Sequence, residues 1–268
     1  MTVSTDDHDV LDALRQLLRA WISGRPGPPV RGLLPPGDLD AAYAVQSAWA
    51  AAHEGTGARV IGRKIGLTNP LVQVQLGVDQ PDFGVLFDDM ARRDGELLDI
   101  TRLMQPKIEA EIAFVLARDL DIPAVGPDEV RAATGHVVAA LEIVDSRIRG
   151  WDISIVDTIA DNASSGLFVL GSQPRALDGL DLRECAMTMR RGGHVVSTGT
   201  GADCLGDPLR AVAWLATTAR AHGRPLRAGD IVMSGALGPM AEVTAGDTFQ
   251  AEITGLGTVG TTFTGGPS

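Results

Sequence analysis

Apolar residues recur at helical spacing near the start of the chain, at Val10, Leu11, Leu14, Leu17, Leu18, Trp21 and Ile22. One apolar stripe with a 3.6-residue period predicts an amphipathic helix, and Asp6, Asp7 and Asp9 suit its N-terminus. Gly24 stops it. Residues 26–36 hold five of the fifteen prolines and read as a rigid connector. Asp38 then opens a second, Ala-rich helix that runs to about His53, and Gly55–Gly57 closes it.

Beyond that point glycine is dense and apolar residues alternate. Residues 58–66, 108–117, 137–146 and 166–171 read as strands, with short helices over 69–77 and near 128–134. Residues 185–199 read as a hairpin turning at Gly192–Gly193. Asp207 as N-cap, Pro208 in the first turn and Gly223 past the end mark a helix. Three strands close the chain, in GDIVMSG, GDTFQAEITG and GTVGTTF. No regular βαβ alternation is present, so the expected class is α+β, with N-terminal helices and a mixed, β-rich core. The expected division is a helical segment, 1–57, packed on a β-rich catalytic core, 58–268. No GxGxxG follows a strand and no GxxxxGK[ST] occurs, which removes dinucleotide and P-loop readings.

Charge narrows the function. The chain has 268 residues, 23 basic and 34 acidic, for a formal charge of −11, against the basic footprint of a non-specific nucleic-acid binder. No run approaches the ~18 apolar residues of a membrane span. The acidic start fits neither a secretory signal nor an Arg-rich transit peptide, so a cytoplasmic location is expected. Cys185 and Cys204 have no metal-ligand spacing and read as free thiols of a reducing compartment. The five histidines are scattered, which disfavours a zinc site. Of the basic residues 21 are Arg, and only Lys64 and Lys107 are Lys. An ammonium can release its proton when desolvated and a guanidinium effectively cannot, which makes Lys64 a functional candidate.

The strongest local signal is Ile108-Glu109-Ala110-Glu111-Ile112-Ala113-Phe114. On a strand, Ile108, Ala110, Ile112 and Phe114 share one face, and Glu109 and Glu111 share the other, roughly 7 Å apart. Neighbouring carboxylates repel unless a positive charge sits between them. A solvated acidic strand face is the ordinary alternative. Glu142 sharpens the case, because it interrupts the apolar run VVAALEIV and a buried, unpaired carboxylate is costly. A local ion pair with Arg147, near Asp145, competes with metal binding. Three Glu without nearby His or Cys favour a hard cation, Mg²⁺ or Mn²⁺.

The runs GRKIGLT (62–68), LGVDQPDFGVL (76–86), QPKIEAEIAFVL (105–116), LEIVDSRI (141–148), DTIADNASSGLFVLG (157–171) and Ser234–Gly235 occur in order. Together they resemble the 2-oxopent-4-enoate hydratase / 4-oxalocrotonate decarboxylase family of the fumarylacetoacetate hydrolase-like superfamily, from about residue 10 to Phe263. The resemblance implies a Mg²⁺ or Mn²⁺ site on Glu109, Glu111 and Glu142, and an acid/base pair of Lys64 and Asp82. It also implies a substrate pocket lined by Ser164 and Ser234. Asn69–Pro70 departs from the small residue expected there.

The implied reaction is hydration of 2-hydroxypenta-2,4-dienoate to 4-hydroxy-2-oxopentanoate in meta-cleavage catabolism of aromatic compounds. The metal would polarise the 2-oxo acid as a Lewis acid, and a neighbouring dication would depress the Lys64 pKa. The resemblance also implies rings of five or ten copies, and association with the pathway decarboxylase or aldolase. Three other readings remain. The first is decarboxylation of 2-oxo-3-hexenedioate, whose second carboxylate would want an extra cation such as Arg63 or Arg147. The second is C–C hydrolysis, which wants a His absent from these motifs. The third is a non-catalytic partner subunit.

Overall fold

The structure is a computed structural model that describes residues 5–69, 73 and 80–265. Helix α1, Thr5–Ser23, and helix α2, Leu39–Glu54, come first. Asp38 caps α2 by accepting the Ala41 N–H at 2.9 Å. The strands that follow are β1 (Val60–Gly66), β2 (Asp82–Phe87), β3 (Ala91–Arg93), β4 (Leu97–Asp99) and β5 (Lys107–Leu116). Helix α3, Pro127–Ala133, leads into β6, Thr134–Val144. Helix α4, Ile155–Ala160, starts from a Ser154–Asp157 capping box and precedes β7, Ser165–Leu170. The hairpin β8 (Ala186–Arg191) and β9 (His194–Thr200) turns at Gly192 and Gly193, both with positive φ. Helix α5, Pro208–Ala221, is capped by Asp207. Strands β10 (Ile231–Met233), β11 (Ala241–Glu242), β12 (Thr248–Ile253) and β13 (Gly257–Thr264) complete the chain.

The helices and strands foreseen within the described residues are present, in a mixed α+β arrangement. The short helix expected over 69–77 lies almost wholly outside the described residues. Strand β2 was not foreseen, because all six of its residues are buried and two-sided burial erases the alternation that announces a strand. Helix α4 is too short, at six residues, to show a period.

One eight-stranded sheet runs β2-β1-β10-β5-β6-β7-β3, with β11 also pairing β5, and a five-stranded sheet runs β4-β13-β12-β8-β9. Ile108, Ala110, Ile112 and Phe114 on β5 join Leu141 and Ile143 on β6, and Phe249, Val259 and Phe263 of the second sheet, in one apolar cluster. That cluster fixes which face of β5 is apolar, and the opposite face is left for the acidic residues. Helix α2 packs on α1 and on α4. Among the described residues no helix is long and apolar enough to cross a membrane.

Candidate functional site

Strand register builds the site. In the antiparallel β5–β6 pair, Glu109 lies opposite Glu142, and Glu111 lies opposite the small Ala140. Residues directly opposite share a face, so all three carboxylates project from the same side of the sheet. The ladder carries the same face outward, from Ala113 to Met233 on β10 and from Met233 to Lys64 on β1. Asp82, at the start of edge strand β2, lies opposite Gly66. Five charged side chains from four strands therefore converge. All are buried: Glu109 is 7% exposed, Glu111 0%, Glu142 1%, Lys64 3% and Asp82 1%.

Glu109, Glu111 and Glu142 each offer an oxygen within 4.8 Å of the others. Glu111 Oε2 accepts the Gly235 N–H at 2.9 Å. Glu111 Oε1 and both Glu142 oxygens have no hydrogen-bond partner, and Lys64 Nζ stands 3.2 Å from Glu142 Oε1 as an ion pair. Burial, and then mutual repulsion, pushes Glu109 up to about 7 and Glu111 well above the ordinary carboxylate range. Burial also raises Glu142, against the opposing pull of Lys64. Orphaned, buried carboxylate oxygens are costly, and a cluster of hard oxygen donors suits a hard divalent cation.

Lys64 is the one cation among these five side chains. Burial lowers its pKa, but Glu142, Asp82, Glu109 and Glu111 together outweigh burial and hold the ammonium above its ordinary value. A depressed pKa was expected from the charge of a dication. With the carboxylates alone facing it, the ammonium is the cluster's counter-ion.

Asp82 is raised by burial, with Lys64 and Thr158 opposing. Thr158 Oγ1 donates to Asp82 Oδ2 at 3.1 Å, and Oδ1 has no hydrogen-bond partner. Gly66 makes the room, since a Cβ there would fall 2.1 Å from Asp82 Oδ1. The polar outer edge of β2 is satisfied by a side chain. Asn162 accepts the Val85 N–H at 2.7 Å and donates to the Val85 carbonyl at 2.9 Å, a two-pronged substitute for a neighbouring strand.

The competing ion pair is not formed. Arg147 donates to Asp161 and to the Ser165 carbonyl, while Asp145 accepts the N–H groups of Met104 and Gln105. Glu142 is therefore left to Lys64. Arg63 alternates with Lys64 on β1, so it faces the other side, and its Nη1 donates to the Gly62 carbonyl at 2.9 Å. Ser234 adjoins the cluster through Gly235, whose carbonyl accepts its hydroxyl at 3.1 Å. Ser164 lies in the turn Asn162–Ser164, where all three φ values are positive, and its hydroxyl is 3.3 Å from Asp161 Oδ2. Both cysteines are buried free thiols. A surface pocket of about 440 Å³, lined by Trp21, Trp49, His53 and Arg102 among others, includes none of the five charged residues.

Thr158, Asn162 and Gly235 all fall within the quoted motifs without a role read for them, and only the fold brings Thr158 and Asn162 against β2 and the Gly235 N–H to Glu111.

The sequence model of the fumarylacetoacetate (FAA) hydrolase C-terminal family matches residues 59–264. The chain is 54% identical over 260 residues to a 2-keto-4-pentenoate hydratase of Burkholderia vietnamiensis, covering 97% of this chain and 99% of that one. It is 43% identical over 252 residues to a 2-hydroxyhexa-2,4-dienoate hydratase of Comamonas testosteroni, covering 93% and 96%. The 4-oxalocrotonate decarboxylase of Pseudomonas putida G7, complexed with magnesium and adipate, superposes with a TM-score of 0.92 at 33% identity, over 98% of this chain and 99% of that one. The chain belongs to the 2-keto-4-pentenoate hydratase family, hydro-lyases within the fumarylacetoacetate hydrolase superfamily.

Proposed function

We propose that the chain is a divalent-metal-dependent hydratase that adds water to 2-hydroxypenta-2,4-dienoate to give 4-hydroxy-2-oxopentanoate, in meta-cleavage catabolism of aromatic compounds. The observation that carries the metal is the cluster of buried carboxylates of Glu109, Glu111 and Glu142, each with an oxygen within 4.8 Å of the others, in which Glu111 Oε1 and both Glu142 oxygens lack a hydrogen-bond partner. The similarity to named hydratases at 54% identity supports the reaction over that of the decarboxylase at 33%. The commitment of Arg147 to Asp161, and the orientation of Arg63, support it too, since a second substrate carboxylate would want a cation in the pocket.

Glu109, Glu111 and Glu142 would hold Mg²⁺ or Mn²⁺. A bound cation would supply Lewis acidity towards a 2-oxo acid substrate. The protein's own groups handle protons and water. The addition places a proton on carbon 5, the water oxygen on carbon 4 and a proton on carbon 3, while the 2-hydroxyl proton leaves. Lys64 Nζ and the unpaired Asp82 Oδ1 hold and move these protons in a site shielded from bulk water. Ser164 and Ser234 line the substrate side of the site in this reading.

The wider reading takes residues 1–57 as a segment packed on the catalytic core 58–268 and a cytoplasmic location from the residue pattern, and rings of five or ten copies and contact with the pathway decarboxylase or aldolase from the motif resemblance. The test is loss of dienoate ultraviolet absorbance by chelated protein before and after Mg²⁺ or Mn²⁺ is restored. Metal-dependent loss without carbon dioxide release is expected. Full turnover after rigorous chelation, or faster carbon dioxide release from 2-oxo-3-hexenedioate, would overturn the proposal.

A further inference from the structure

The family model begins at residue 59, yet the segment before it reaches the acid/base pair through one short helix. Helix α4 carries Thr158, whose hydroxyl holds Asp82 Oδ2. The residues on either side of Thr158 are each tied to the N-terminal segment. Asp157 Oδ1 accepts the N–H groups of Val30 and Arg31, both at 2.8 Å, and Asp157 Oδ2 pairs with the Arg31 guanidinium at 2.7 Å. On the other side, Gln46 of α2 donates to the Ile159 carbonyl at 3.0 Å and to the Phe83 carbonyl at 2.7 Å. The residue after Thr158 and the residue after Asp82 are thus held by the two N–H groups of one buried carboxamide. Asp82 and Thr158 lie 76 positions apart in sequence, so their register is set by tertiary ties, and this bracket joins the Asn162–Val85 pair in setting it.

We propose that Thr158 is a positioning residue for Asp82, and that Gln46 and the Arg31 connector hold it there, making the N-terminal segment part of the acid/base machinery. With Oδ2 engaged by Thr158, the carboxylate presents Oδ1, its unpartnered oxygen, to the substrate. A carboxylate free to rotate would present either oxygen in many orientations, and a misplaced proton carrier costs turnover rather than binding. The inference rests on the reading of Asp82 as a proton carrier.

Thr158→Val keeps the shape and deletes the hydroxyl, while Thr158→Ser keeps the hydroxyl. Steady-state turnover of 2-hydroxypenta-2,4-dienoate by the full chain, with Mg²⁺ present, is compared with Mg²⁺ affinity by titration calorimetry. The expected result for Thr158→Val is a fall in kcat of roughly tenfold or more, with KM and Mg²⁺ affinity within about twofold of the parent. Thr158→Ser restores kcat. Gln46→Met should lower kcat in the same direction, and if it does not fold the Thr158 pair still decides. Normal kcat in Thr158→Val, or Thr158→Ser no better than Thr158→Val, would overturn the positioning role. Asp82→Asn reports on the underlying reading: if it turns over normally, Asp82 is not the proton carrier. If it is inactive while Thr158→Val is normal, only the positioning inference fails.

Discussion

Replacing Glu142 by Gln removes one of three carboxylates whose oxygens lie within 4.8 Å of one another. At that separation, and an effective dielectric near 20, two unit charges repel by about 3.5 kcal/mol, so the fully ionised cluster carries about 10 kcal/mol of repulsion. Lys64, 3.2 Å from Glu142, returns about 5 kcal/mol on the same scale. At a pH high enough to ionise all three, Glu142→Gln removes two repulsive pairs, worth about 7 kcal/mol, and gives up that attraction, so the metal-free fold should there change by only about 2 kcal/mol, towards greater stability. Metal binding has the opposite fate. A cation bound only by the folded chain adds about 2.7 kcal/mol at a hundredfold excess over its Kd, or roughly 5–10 °C in melting temperature. Thermal melts of the parent should show that rise on adding Mg²⁺ or Mn²⁺, and Glu142→Gln should melt normally when chelated yet lose the rise. A variant that keeps the full rise would refute Glu142 as a ligand. One that unfolds when chelated would refute the account of the cluster as an electrostatic burden relieved by metal.

Four further outcomes are expected. Glu109 sits at about 7 in the folded chain, above its ordinary value of 4.5, so the metal-free fold binds extra protons between those values and its stability should fall as pH rises through that window. The cation needs the ionised carboxylates, so its affinity by calorimetry should instead weaken as pH drops below about 7; an affinity independent of pH would contradict the raised carboxylates. Gly66→Ala puts a Cβ 2.1 Å from Asp82 Oδ1 and should cost roughly a hundredfold in kcat while the metal-induced melting rise survives; normal turnover would show that Asp82 can shift without consequence. Arg147→Met leaves Asp161 buried without its cation and should destabilise by about 3–5 kcal/mol in denaturant unfolding, with Asp161→Leu recovering part of the loss; a neutral single variant would contradict the buried pair.

The carboxylate face of β5 was legible because one side of the strand is unbroken apolar and the other is acidic, and Glu142 was legible because it breaks an apolar run. Those two signals do not depend on distant partners. Lys64 stood out by composition, but its link to Asp82 came from the motif resemblance, since β2 has no alternation and its pairing with β1 lies in the fold. Arg147 misled, because the nearest acids in sequence are not the ones it meets. Its partner is Asp161, reached through the turn before β7. Gln46 has no signal in the sequence of its Ala-rich helix, since its meaning lies in carbonyls 37 and 113 positions away that converge on it.

The opposition of Glu109 and Glu142 has a cost in tolerance. A slip of β6 by a single residue would swing Glu142 into the aliphatic layer and bring Leu141 or Ile143 out among the charges. The fit of Ile108, Ile112 and Phe114 beneath the sheet opposes that slip. Aliphatic substitutions there, far from any reacting atom, would first be noticed as a cation that no longer binds.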